Sequence, residues 1–244
     1  MVAIGFDVGG TNVRGVALER GSAVPLATLR SKTRADGDVL VDTIVEVTEG
    51  LIAELAKDDP NVMLEAVGLG MAALMDSSGV FRYAPNIPGV FNYPLVEHVI
   101  ERLGVPVMAD NDATTATWAE AKFGAGVGYD HMAYVALGTG IGTGFVLDGK
   151  LYRGANGYAG ESGHITIERG GPVHITGVRG PWEYFASGNG LGALARTFAG
   201  DGRLDSAIEL AGSAGAIKGE HINELVNRED PEVTELIALS LIHI

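Results

Sequence analysis

The chain has 244 residues, 46% of them apolar and 20% charged, enough for one large or two modest domains with a real hydrophobic core. It contains no cysteine, which excludes disulfides, thiolate nucleophiles and cysteine-ligated zinc and fits a reducing compartment. A formal net charge of -14 opposes polyanion binding, so nucleic acid is not an expected partner and a phosphate ligand has to be met locally, by backbone donors and a metal.

Residues 1–6 lack the basic start and long apolar run of a signal peptide, and no apolar stretch approaches the ~20 residues of a membrane span. The expectation is a cytoplasmic chain with no membrane partner.

Residues 2–6, 13–19 and 25–30 read as short strands, the first two joined by a glycine turn. Residues 39–57 carry Leu40, Ile44, Val47, Leu51, Ile52 and Leu55 at helical spacing. A strand is expected over 66–70, a short helix over 95–103 and a buried strand over 105–109. A helix follows from about 110 to 123, then strands 132–137 and 142–147 around a second glycine turn. From about residue 181 the pattern is helical, over 190–198, 204–210, 217–226 and 232–242. This is an α/β chain in which strand, glycine turn, strand occurs once near the start of each half.

The turns are Asp7-Val8-Gly9-Gly10-Thr11-Asn12 and Gly138-Thr139-Gly140-Ile141-Gly142-Thr143-Gly144. A dinucleotide fingerprint needs glycines that open a helix, and neither run does: β-branched and aromatic residues follow each, as in a hairpin. One such pair alone is simply a turn. Two of them, each with Thr beside Gly and one opening on Asp, suit phosphate binding. Glycine lets backbone amides approach an anion, Thr donates, and Asp holds Mg²⁺ directly or through water.

Asp110-Asn111-Asp112 stands between a strand and a helix, where one residue suffices as a cap. The others are left for chemistry, and an Asp at a helix start suits a base that takes a proton from a hydroxyl. Glu161 and His164 lie three apart among glycines, which in isolation is only a polar loop. Glu183, between Trp182 and Tyr184 after Pro181, is a second Glu in a partly enclosed setting. With Asn111 and Asn86, the latter in a proline turn, these are candidate acceptors for sugar hydroxyls.

Together these motifs resemble the ROK family of sugar kinases, over residues 3 to about 200, and the run 179–188 looks most like the bacterial glucokinases. The resemblance implies an actin-like, ribonuclease-H-like ATPase fold: two mixed-sheet domains, 1–109 and 110–244, with a cleft between them. It implies transfer of the terminal phosphoryl group of ATP, with Mg²⁺, to a hexose hydroxyl, glucose to glucose 6-phosphate, as in glycolysis, by a homodimer. Asp112 is then the general base, and Asp7 helps hold Mg²⁺. Gly9, Gly10, Thr11 and Asn12 meet the phosphates with Gly138, Thr139 and Gly140. Asn86, Asn111, Asp112, Glu161, His164 and Glu183 contact the sugar. The alternatives are another hexose or amino sugar, polyphosphate as donor, or a non-catalytic sugar sensor of the same fold.

The sequence departs from the family in three places. Many members bind structural zinc through one His and three Cys, whose positions here carry His164, His174, Thr176 and Pro181. Two histidines do not close a four-coordinate site, so no zinc is expected. The family's later adenosine-contacting strand and glycine turn are not in the sequence given, so a truncated second domain is expected. Met71-Ala72-Ala73 stands where relatives carry Pro-Gly beside the sugar.

Overall fold

The computed structural model describes residues 1–244 apart from 35, 77–79, 85, 86, 88, 175, 243 and 244, and apart from the side chains of 239, 241 and 242. Asn86 therefore lies outside the described residues. Contacts group the chain into two compact units, one of residues 1–134 with 144–160, the other of 135–143 with 161–244.

The first unit is built on a five-stranded sheet. Strands β1 (Val2–Val8), β2 (Asn12–Glu19) and β3 (Pro25–Lys32) form an antiparallel meander, and β4 (Leu64–Met71) and β7 (Val107–Asn111) add in parallel to β1, in the order β3-β2-β1-β4-β7. Alternation along β1 buries Val2, Ile4, Phe6 and Val8 and leaves Asp7 on the opposite face. Helix α1 (Gly37–Leu55), capped by Asp36 accepting from the Val39 amide, lays Leu40, Ile44, Val47 and Leu51 against the buried side. Gly15 permits that approach, since a Cβ there would lie 2.6 Å from Val47 Cγ1. A two-stranded sheet, β5 (Leu74–Met75) with β6 (Phe81–Tyr83), has no counterpart in the expected elements. Helix α2 (Leu95–Leu103) ends at Gly104 in the left-handed conformation, φ 67°.

Strand β7 continues two residues beyond its expected end, so α3 spans Asp112–Phe123 with Asn111 as its cap rather than starting at residue 110. Strands β8 (Met132–Leu137), β9 (Ile141–Leu147) and β10 (Lys150–Tyr152) form a sheet in the order β10-β9-β8. Contacts place α3 and β10 in the first unit, whereas the expected division ran at 109/110. The physical reason is continuity: β7 pairs with β4 through Asn111, and Gly144 lets β9 close on Thr117 of α3, where a Cβ would come 2.0 Å from Thr117 Oγ1.

The second unit is helical beyond residue 181: α4 (Trp182–Ala186), α5 (Gly188–Gly200), α6 (Asp205–Ala211), α7 (Gly219–Asn227) and α8 (Pro231–Ile242). Its core joins Ala195 and Ala199 of α5 to Ile222 and Leu225 of α7 and Val233 and Leu236 of α8. Among the described residues no helix is long and apolar enough to cross a membrane.

Candidate active site

The first glycine turn is tied off through its carbonyls. The Gly9 amide donates to the Asn12 carbonyl at 3.0 Å, Thr33 Oγ1 donates to the Gly9 carbonyl at 2.6 Å, and the Thr33 amide donates to the Thr11 carbonyl at 3.0 Å. Among the described residues the amides of Gly10 and Thr11 have no protein acceptor, so the donor side of the turn is available to an anion. A cavity of about 460 Å³ opens beside it, lined by Asp7, the turn, and Arg14, Thr28 and Arg30.

At the end of β7 the acidic triplet divides into three roles. Asp110 is paired with Arg153, whose Nη2 lies 2.6 Å from Asp110 Oδ2. Asn111 Oδ1 accepts from the Thr114 amide at 3.1 Å and its Nδ2 donates to the Ala73 carbonyl at 3.3 Å. Asp112 keeps a solvent-exposed surface, yet its carboxyl is raised from its ordinary value. Desolvation by the surrounding protein is the main cause and the charge of Asp7 adds to it, against the Ala113 amide, which donates to Oδ1 at 2.8 Å. Asp7, beside the glycine turn and on the cavity wall, offers the carboxylate oxygen that a hard ion such as Mg²⁺ takes.

In the second unit the tip of the β8–β9 hairpin is held by α4 and α5. The amides of Gly188 and Asn189 donate to the carbonyls of Gly138 and Thr139 at 2.8 and 3.2 Å. Glu183 Oε2 accepts from the Ile141 amide at 2.7 Å, and a Cβ on Gly140 would lie 2.4 Å from that oxygen. Glu183 Oε1 is 3.3 Å from His174 Nε2, and His174 Nδ1 is 2.9 Å from Thr176 Oγ1. Glu161 Oε2 stands 3.6 Å from His164 Nε2, whose Nδ1 is buried without a hydrogen-bond partner. The structure thus gathers Glu161, His164 and Glu183 in one unit and Asp7 and Asp112 in the other.

The four-ligand zinc set does not fit, because Thr176 and Pro181 bring neither thiolate nor imidazole and His174 is engaged by Thr176 and Glu183. His164, His174 and Glu183 do place three ligand-type atoms within 4.8 Å of one another.

Residues 3–244 match the pattern of the ROK family. The chain belongs to the ROK family. A glucokinase of Streptomyces coelicolor is 36% identical over 227 residues, 91% of this chain and 68% of that protein. N-acetylmannosamine kinase of Citrobacter koseri is 31% identical over 98% of this chain and 78% of its own length, and a xylose repressor of Bacillus subtilis is 29% identical over 78% and 48%. A ROK family glucokinase from Streptomyces griseus, solved with glucose and AMPPNP, superposes with a TM-score of 0.78 at 33% identity, covering 97% of this chain and 74% of that one. The ROK chain accordingly has the sugar-kinase fold of the actin-like ATPases.

Sequence reasoning did not find Arg153, the contact of His174 with Glu183, or Arg14 and Arg30 at the cavity. Arg153 is 43 residues from Asp110, and no local pattern signals such a pair. Strand alternation after Asp7 was the one available signal for Arg14, which register sets directly opposite it.

Proposed function

We propose that this chain is a hexose kinase, with glucose and ATP as its substrates and glucose 6-phosphate as its product. The observation that carries the reading is the placement of Asp112 in the first turn of α3, directly after the capping Asn111, where its carboxyl is raised mainly by desolvation, with the charge of Asp7 adding to it. Phosphoryl transfer needs little covalent chemistry from the protein. It needs position, charge neutralisation and a base.

In this reading Asp112 accepts the proton of the attacking sugar hydroxyl, and its raised pKa brings it closer to the operating pH. The turn Gly9, Gly10, Thr11 and Asn12 meets the phosphates through the amides of Gly10 and Thr11, which have no acceptor among the described residues, and Gly138, Thr139 and Gly140 form the second phosphate turn. Asp7 would hold Mg²⁺, directly or through water, and the ion would supply charge neutralisation on the phosphates. Glu161, His164 and Glu183, with Asn111 and Asn86, orient the sugar. Asn111 has one role already visible, because its side chain caps α3 and reaches Ala73. The cytoplasmic homodimer and a place in glycolysis belong to the same reading.

The similarity to glucokinases supports glucose, and the similarity to N-acetylmannosamine kinase favours an amino sugar as the second reading. A coupled assay over a hexose and amino-sugar panel, with ATP and with polyphosphate, tests both. Turnover of one sugar with ATP is expected. No turnover with any sugar, together with sugar binding by calorimetry, would replace the kinase by a sugar sensor.

A further inference from the structure

Arg14 and Arg30 are direct partners on the antiparallel strands β2 and β3, and both line the cavity beside the first glycine turn. Like charges placed opposite each other destabilise a sheet. Among the described residues neither guanidinium has a hydrogen-bond or ion-pair partner, although acidic side chains outnumber basic ones by 31 to 17. Elsewhere in the same unit Arg82, Arg102 and Arg153 each take a carboxylate. Two adjacent unpaired arginines in so acidic a chain, facing a cavity, fit an anion that bridges them. The planar fork of each guanidinium matches phosphate oxygens in a way that lysine does not.

The order of residues across the sheet gives the anion a direction. From β7 toward β3 the succession is Asp112 just past β7, Asp7 on β1, Arg14 on β2 and Arg30 on β3. Two strand spacings, roughly 10 Å, separate β1 from β3. A phosphate chain whose reactive end lies near Asp7 and Asp112 therefore runs outward over Arg14 and then Arg30, with the Thr28 hydroxyl as a further donor at the cavity wall.

We propose that Arg14 and Arg30 form a track for a linear phosphate chain, reaching beyond the glycine turn. The direction of the track rests on the kinase reading, and the shared chemistry is that of a nucleoside triphosphate or of inorganic polyphosphate. The test is calorimetric titration of the full chain with tripolyphosphate and with ATP, for wild type, Arg30→Ala and Arg14→Ala, with no sugar present and no turnover read. Tripolyphosphate is expected to bind wild type, and Arg30→Ala to weaken it at least tenfold without lowering the thermal midpoint, since Arg30 is exposed and its removal relieves the repulsion with Arg14. Equal weakening of ATP assigns the track to the nucleotide's own chain, and weakening of tripolyphosphate alone assigns it to an inorganic chain. The proposal is overturned if wild type does not bind tripolyphosphate, if both variants bind within twofold of wild type, or if ATP alone weakens. Absence of wild-type turnover with every sugar in the coupled assay, alongside Arg30-dependent tripolyphosphate binding, would sink the kinase reading and leave the track standing.

Discussion

Glu183 Oε2 accepts the amide hydrogen of Ile141 at 2.7 Å, so a side chain in α4 holds the residue that closes the second glycine turn. The same carboxylate faces His174 through its other oxygen. One group thus ties the proposed phosphate turn to the proposed sugar loop, and both oxygens are fixed in place.

Glu183→Ala removes the acceptor and leaves the part-buried Ile141 amide unsatisfied, a loss of about 1–3 kcal/mol. Glu183→Gln retains an oxygen for that amide and is expected to keep most of the stability while still weakening sugar binding. Denaturant unfolding and sugar titration separate the two effects. Equal stability of wild type and Glu183→Ala would show that the bond contributes nothing.

Asp112→Asn is expected to lower turnover by ~10²–10⁴ with sugar affinity far less affected, because the proton is accepted only on the way to the transition state. Turnover within a few fold of wild type, in folded protein, would remove Asp112 from the base position.

The same substitution has a pH signature. The folded-state pKa of Asp112 is raised, so between its ordinary value and the folded value the native state holds more protons than the unfolded state. Its contribution to stability is therefore greatest at low pH and is lost as pH rises through the folded pKa. Asp112→Asn should melt above wild type at neutral pH, with the difference shrinking in acid, while wild-type turnover falls as pH drops through the folded value. A neutral-pH melting point below that of wild type would contradict the cause assigned to the shift.

Gly180 has φ 56° and sits so that a Cβ would come 1.8 Å from the Glu168 carbonyl oxygen. Gly180→Ala combines left-handed backbone with a clash against main chain that has no free rotamer to yield. A loss of about 1–3 kcal/mol is expected by denaturant titration, and a neutral result would mean that this loop refolds around the methyl group.

Metal analysis of purified protein is expected to find no stoichiometric zinc, and chelator to leave the fold intact. His174 is engaged by Thr176 and Glu183, and Glu183 by Ile141. One equivalent of zinc with unfolding on chelation would mean that His164, His174 and Glu183, within 4.8 Å of one another, close a site with a fourth ligand.

The sequence by itself determined what depends on near neighbours. Helical spacing placed α1, and the β-branched residues after each glycine run marked β2 and β9 as strands rather than helices. The Asx residues before α3 located the candidate base, because a strand end, a cap and a first-turn carboxylate all lie within three positions. Only the tertiary structure decided which distant groups meet. The register that sets Asp7 against Arg14 and Arg14 against Arg30, the 43-residue reach of Arg153 to Asp110, and the meeting of His174 with Glu183 are long-range pairings. Strand register and loop closure are fixed by burial of the whole core, where a shift of one residue turns every side chain to the other face.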